Sequence, residues 1–238
     1  MTVKARGRYN LRMSRLQDLL KEQNEPDTPG ERVYRDLLND ILTGVLTPGS
    51  RLSEPSLCEK YSVSRTPLRA AFQRLETLGL LDYIPNRGEF VRGLKEEEVS
   101  DMMVMRRDLE TFAARLAARR ATEEQISDLD DIFKYMVLYT KTNDVPKMIS
   151  INKVFHCLVY EAANDVLLEK TLRTLQDFSG YCCSTNYFEP NYLNRVLREH
   201  RRIYEAIISK NEKAGAHAMR LHMNNTIRRS GITQDFRL

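Results

Sequence analysis

The sequence predicts a mainly α chain in two parts: a small helical domain closed by a β-hairpin, then an all-α helical bundle. Three observations predict it. Breakers are scarce, with 10 Gly and 8 Pro among 238 residues, while the good helix formers Leu, Ala, Arg and Glu are common. Between about 31 and 93, three helical stripes lead into two short runs, "LLDYI" and "EFVRG", joined by "PNRG", which is a hairpin pattern. From about residue 95, apolar residues recur at helical spacing through six segments with no strand signal.

Residues 1–30 are polar and form an N-terminal extension that ends in the linker "NEPDTPG"; the pattern allows a short helix near 11–23. "ERVYRDLLNDILTGVL" (31–46) then sets Val33, Leu37, Leu38, Ile41 and Val45 on one stripe, and "TPGSRL" ends the helix. The next helix, "SEPSLCEKY", opens on Ser53 with Leu57 facing inward. After a short turn, Ser64 caps "SRTPLRAAFQRLETLGLL", whose stripe is Leu68, Ala71, Phe72, Leu75 and Leu78, and Gly79 stops it. In the second part, 95–235, Thr122 caps the second helix, with Glu124 and Gln125 in the first turn.

Composition bounds the function. With 42% hydrophobic and 29% charged residues the chain is globular rather than disordered. A formal net charge of +4 permits nucleic acid as a partner without requiring it. No apolar run reaches the length of a membrane span, and no apolar segment follows the basic start as a secretory signal needs. Cys58, Cys157, Cys182 and Cys183 have no CxxC spacing. They read as reduced thiols in a cytoplasmic protein.

Helix, helix, short turn, helix, hairpin is the order of a winged helix-turn-helix. Its third helix opens with Ser64 and Thr66, which can bond phosphates beside the free amides of a helix N-terminus. Arg65 and Arg69 are four apart and project together, and arginine on guanine is the commonest specific base contact. At the hairpin tip, Arg87 beside Gly88 suits a wing in the minor groove. Residues 31–93 hold nine Lys and Arg against eight Asp and Glu, so gross charge does not separate a DNA reader from an ordinary solvated face.

"PGSRLSE", "VSRTPLRAAFQRLE" and "PNRGEFV" together resemble the N-terminal domain of the GntR family of bacterial transcription regulators, over residues 33–94 almost without gaps. The resemblance implies binding to an operator in double-stranded DNA. It places the base and phosphate contacts on Ser64, Arg65, Thr66 and Arg69, and the wing contact at Arg87 and Gly88. Many relatives carry a basic residue where this chain has Pro55, so the resemblance does not carry a contact at the start of the second helix over to this chain.

Only four histidines are present: His156, His200, His217 and His222. His200 lies 211 − 200 = 11 residues before Asn211 and His222 lies 222 − 211 = 11 after it. In two antiparallel helices joined there, each sits roughly 16 Å from the turn and the two come level. Asn152 and His156 share one face of a further helix. Three imidazoles and one oxygen suit a Zn²⁺ or Ni²⁺ shell, and they equally suit a polar core network. His217 is about 140° round the helix from His222 and points elsewhere. A His₃ metal could also activate water. The one evident carboxylate near the motif, Glu161, is off that face, so no general base is legible and no enzyme is expected.

"MRRDLETFAARLAARRA", "INKVFHCLVYEAAND", "LREHRRIYEAI" and "MRLHM" resemble the effector domain of the FadR-like subfamily, the all-helical FCD type. The resemblance implies a homodimer whose helical domain takes a divalent metal on Asn152, His156, His200 and His222. It also implies a small carboxylate or sugar acid completing the shell, with Arg106 as a carboxylate clamp. Relatives commonly carry Asp where this chain has Asn152. An amide offers a dipole instead of a charge, so metal should bind more weakly and an anionic effector more strongly. A regulator responding to Zn or Ni alone is the alternative.

Overall fold

The computed structural model describes residues 28–182 and 191–231. The expected helix near 11–23 and Cys183 lie outside the described residues. The chain divides into two compact units, one over Glu25–Glu98 and one that includes Val99–Leu238.

In the first unit, α1 (Pro29–Leu42) begins two residues earlier than the pattern predicts. Thr28 is the reason: its hydroxyl accepts from the Glu31 amide at 3.1 Å, and Pro29 fits a first turn that needs no amide donor. Val33, Tyr34, Leu37, Leu38 and Ile41 are its buried face. Val45, expected on the same stripe, is 64% exposed. The Thr43 hydroxyl turns back to the Asn39 carbonyl at 2.7 Å and Gly44 adopts φ +77°, so the helix has already ended. α2 (Glu54–Tyr61) packs on α3 (Arg65–Thr77), and α3 packs on α1. Leu57, Leu68, Phe72 and Leu75 fill the space between them, while Leu78 falls at the C-cap and is only half-buried.

The hairpin pairs β1 (Leu81–Ile84) with β2 (Gly88–Val91), Leu81 opposite Val91 and Ile84 opposite Gly88. Asn86 at φ 63° and Gly88 at φ +88° make the tight turn. "TPGSRL" does more than end a helix. The Leu52 amide donates to the Glu89 carbonyl and the Val91 amide to the Ser50 carbonyl, both at 2.9 Å. The segment therefore covers the second edge of β2, which would otherwise leave backbone groups unpaired.

Asp40 of α1 ties in α2: its carboxylate accepts from Lys60 at 2.6 Å and from Tyr61 at 2.7 Å. Burial alone would raise its pKa, but these bonds outweigh it and the pKa is lowered below 3.8. The carboxylate's contribution is thus complete above its ordinary pKa and lost as pH falls through the lower folded value. Asp40→Asn is expected to destabilise this unit by about 1–3 kcal/mol at neutral pH. The gap from wild type should shrink below about pH 3.8, as thermal melts across pH would measure.

The second unit is helical throughout its described residues: α4 (Glu96–Arg120), α5 (Glu123–Lys141), α6 (Val145–Ala162), α7 (Val166–Cys182), α8 (Tyr192–Ile208) and α9 (Glu212–Ser230). α5 opens on a full capping box, with the Thr122 hydroxyl accepting from the Gln125 amide and the Gln125 side chain accepting from the Thr122 amide. α6 packs against α5 and α7, and α8 against α5 and α9. Its residues Ile151, Val154, Phe155, Leu158 and Val159 are all buried, as befits a helix surrounded by others. Lys210 at φ 54° and Asn211, whose side chain accepts from the Ala214 amide, make the α8–α9 turn. Gly215 lets α9 lie against α4: a Cβ there would stand 3.1 Å from the Ala114 carbonyl oxygen.

Candidate functional site

Each unit carries one constellation. In the first, Ser64 is the N-cap of α3 yet makes no side-chain cap bond, so its hydroxyl points outward with Arg65, Thr66 and Arg69, all exposed. The amides of the first turn are unsatisfied by the helix itself, which makes this end suited to phosphate. Arg69 is not simply solvated. Its Nε and Nη2 donate to the two oxygens of Glu54 at 2.8 and 3.0 Å. This fork holds the Glu54 carboxyl below its usual range and fixes the Arg69 guanidinium across α2 and α3. Pro55 follows Glu54 in the first turn of α2. At the wing, Arg87 is exposed over the Phe90 ring, 5.3 Å from its centre, and Gly88 follows it into β2. The Arg51 guanidinium comes alongside Gly88, a basic group the sequence pattern did not single out.

In the second unit, α6, α8 and α9 bring His156, His200 and His222 together. The rings lie 5.3 Å (156–200), 5.2 Å (156–222) and 4.4 Å (200–222) apart, centre to centre. One nitrogen from each falls within 4.8 Å of the others, and all three residues are buried. The other nitrogen of each ring has a partner that can only accept. His156 Nδ1 faces Glu110 at 2.6 Å, His200 Nδ1 the Val196 carbonyl at 2.8 Å, and His222 Nδ1 Glu199 at 2.8 Å. Each Nδ1 therefore carries the proton and each Nε2 offers a lone pair.

The consequence is electrostatic. His222 Nε2 and His156 Nε2 stand 3.3 Å apart, and His200 Nε2 is buried with no hydrogen-bond partner. Burial, reinforced by the neighbouring imidazoles, pushes the pKa of His200 well below its ordinary value, and burial lowers that of His222. The three inward Nε2 atoms crowd one point, and a cation there, a proton shared by His156 and His222 or a metal ion, offsets the repulsion of their lone pairs. The donor set fits a divalent ion preferring imidazole nitrogen.

Glu110 and Glu199 correct the expectation that Glu161 is the carboxylate near the motif. Glu161 instead pairs with Arg173 at 2.6 Å. Glu110 is fully buried on α4, bonded by His156, Tyr160 and Arg106. Burial would raise its pKa, and those charges and bonds lower it instead. Burial acts likewise on Glu199, and the fork from Arg229 at 2.8 and 2.9 Å, with the His222 bond, holds it at about 2. Both carboxylates serve ring nitrogens and neither stands free as a base. Glu110 was legible only as the residue four after Arg106, and Glu199 as the neighbour of His200.

A cavity of about 260 Å³ opens onto this centre, a size for a small ligand. Asn152, one turn before His156, lines it, as do Arg106 and Arg229. Arg106 is bound to Glu110 at 2.7 Å and donates to the Ser179 hydroxyl. Arg107 forks instead onto Asp108. His217 is exposed, away from the cluster, as its angle on the helix requires.

Comparison with known proteins agrees with both halves. Residues 29–91 match the family model "Bacterial regulatory proteins, gntR family" and residues 101–225 the model "FCD domain". The Bacillus subtilis regulator YdhC is 30% identical over 81% of this chain and 86% of its own. The Escherichia coli repressor RspR is 28% identical over 86% of this chain and 90% of its own. The solved structure of E. coli McbR/YncC superposes with a TM-score of 0.69, covering 87% of this chain and 98% of that one at 22% identity, which speaks to the fold. Families and relatives alike are transcription regulators and not enzymes. This chain belongs to the GntR family: it is a transcription regulator with an N-terminal helix-turn-helix and a C-terminal FCD domain.

Proposed function

We propose that this regulator binds a palindromic operator as a homodimer in the cytoplasm, and that a small organic acid in its helical unit controls that binding. Ser64, Arg65, Thr66 and Arg69 enter the major groove, and Arg87 with Gly88 the adjacent minor groove. Thr66 and Ser64 contact phosphate; the arginines read bases. One such reader covers one half-site, so a palindrome needs two. Sedimentation is expected to give a dimer at micromolar concentration, and a monomer with and without DNA would overturn this.

The observation that carries the effector reading is the set of three inward Nε2 atoms, each with its Nδ1 anchored, beside a cavity that His156 and His222 line. His156, His200 and His222, with the Asn152 amide oxygen, would hold Zn²⁺ or Ni²⁺, which supplies a Lewis-acidic positive centre for a carboxylate. The chain's own charges reinforce this. Glu110 is offset by Arg106 and Glu199 by Arg229, so no carboxylate cancels the ion's charge and an anion is attracted. Arg106, held in place by Glu110, is the expected clamp on that anion. Among the described residues, no helix is long and apolar enough to cross a membrane.

A thermal-shift screen of small carboxylates and sugar acids, with Zn²⁺ or Ni²⁺ present, tests the reading. A ligand at 100 times its dissociation constant adds about 2.7 kcal/mol of stability, and the same compound must change operator affinity. Operator binding that follows the metal alone, with no acid changing it, would instead make the chain a metal sensor.

A further inference from the structure

Of the charged residues on the cavity wall, two are already matched. Arg106 is fixed by Glu110, and Arg229 is forked onto Glu199. Lys153 is different. It lines the same cavity from α6, and among the described residues no carboxylate and no hydrogen-bond acceptor holds its ammonium. Its backbone does have a fixed place, because its carbonyl accepts from Gln176 Nε2 at 3.3 Å and so ties α6 to α7 there. No Asp or Glu among the described residues lines the cavity to serve as its partner.

Helix geometry says where that charge can reach. Lys153 is three residues before His156, and Asn152 is four before it. Both Cβ atoms therefore stand about 5–6 Å from that of His156, side by side on the preceding turn. A ligand group facing the histidine cluster has Asn152 on one flank and the flexible Lys153 stem on the other. Lys153 is half-buried, and the wall beside it includes the apolar Met148, Ile149 and Met223 and no acidic group. An anion in the cavity gives its ammonium a partner of opposite charge.

Building on the carboxylate reading above, we infer that Lys153 is a specificity-determining residue that binds a second acidic group of the effector. The preferred effector class is then a short dicarboxylate: one carboxylate faces the His156, His200 and His222 cluster and the other pairs with Lys153. A monocarboxylate leaves Lys153 unmatched. Selection comes from this one ammonium and not from cavity size, since the two classes differ little in volume at equal chain length.

The test is calorimetry on the full chain with one equivalent of Zn²⁺, titrating malonate, succinate and glutarate against propionate, butyrate and valerate. At least one dicarboxylate is expected to bind roughly tenfold or more tightly than the matched monocarboxylate, the scale of one charge-assisted bond. Lys153→Gln is expected to erase that preference, changing monocarboxylate affinity less than about twofold, and Lys153→Arg to restore most of it. Melting of the metal-free variants controls for folding. Monocarboxylates that bind as well as dicarboxylates, or a preference that survives Lys153→Gln, would overturn the role of Lys153 while leaving the effector reading intact. No binding of any carboxylate by wild type would overturn both.

Discussion

His200→Ala is expected to weaken Zn²⁺ binding about a hundredfold, and Asn152→Asp to strengthen it. The first figure follows from sharing about 10–16 kcal/mol of structural zinc affinity among four ligands, on the order of 3 kcal/mol each. His200 is the sharpest probe because its Nε2 has no other partner to lose, while its Nδ1 bond to the Val196 carbonyl stays local to one helix turn. Asn152→Asp replaces a dipole by a charge at the same reach, so metal binding tightens. The same charge cancels part of the positive centre that attracts an anion, so binding of an acidic effector weakens. Opposite signs from one substitution are not what a folding defect gives. Calorimetry, metal first and organic acid second, reads both. If neither His200→Ala nor Asn152→Asp alters metal affinity, the histidines form a polar core network, and an effector would have to be held by Arg106 and its neighbours.

On the DNA side, Arg65→Ala and Arg69→Ala are each expected to cost about 1–3 kcal/mol of operator discrimination, the value of a bidentate base contact. The two should not be equal. Arg69 neutralises Glu54 through a two-pronged ion pair on the exposed face, so removing it also leaves a bare carboxylate toward the phosphates. Arg69→Ala should therefore lose the more affinity, and adding Glu54→Gln should recover part of the loss, a coupling that Arg65→Ala lacks. The measurement is binding to a selected operator and to random DNA at several salt concentrations, since phosphate contacts alone change the salt slope without changing discrimination. Unchanged discrimination in both variants would remove these arginines from base reading.

Much of this was legible because helical periodicity fixes which face of each element is buried. The stripe of Leu68, Phe72 and Leu75, the Thr122 capping box and the level placement of His200 and His222 are local facts, each set within a turn or across one short connection. The tertiary structure decided which groups meet across elements. Glu110 reaches His156 from 46 positions away. Glu199, adjacent to His200, turns about 100° aside to serve His222 on the next helix. Arg69 meets Glu54, Val45 falls off the stripe, and residues 50–52 join the hairpin edge, none of which carries a periodic mark. The amino-acid sequence alone determined the two-part helical plan, the basic face of α3 and the three histidines that can share a level. Only packing decided that the three Nε2 atoms converge, because the orientation of a buried imidazole follows from the acceptor its Nδ1 meets: a neighbouring helix presents it for His156 and His222, and the preceding turn of its own helix for His200.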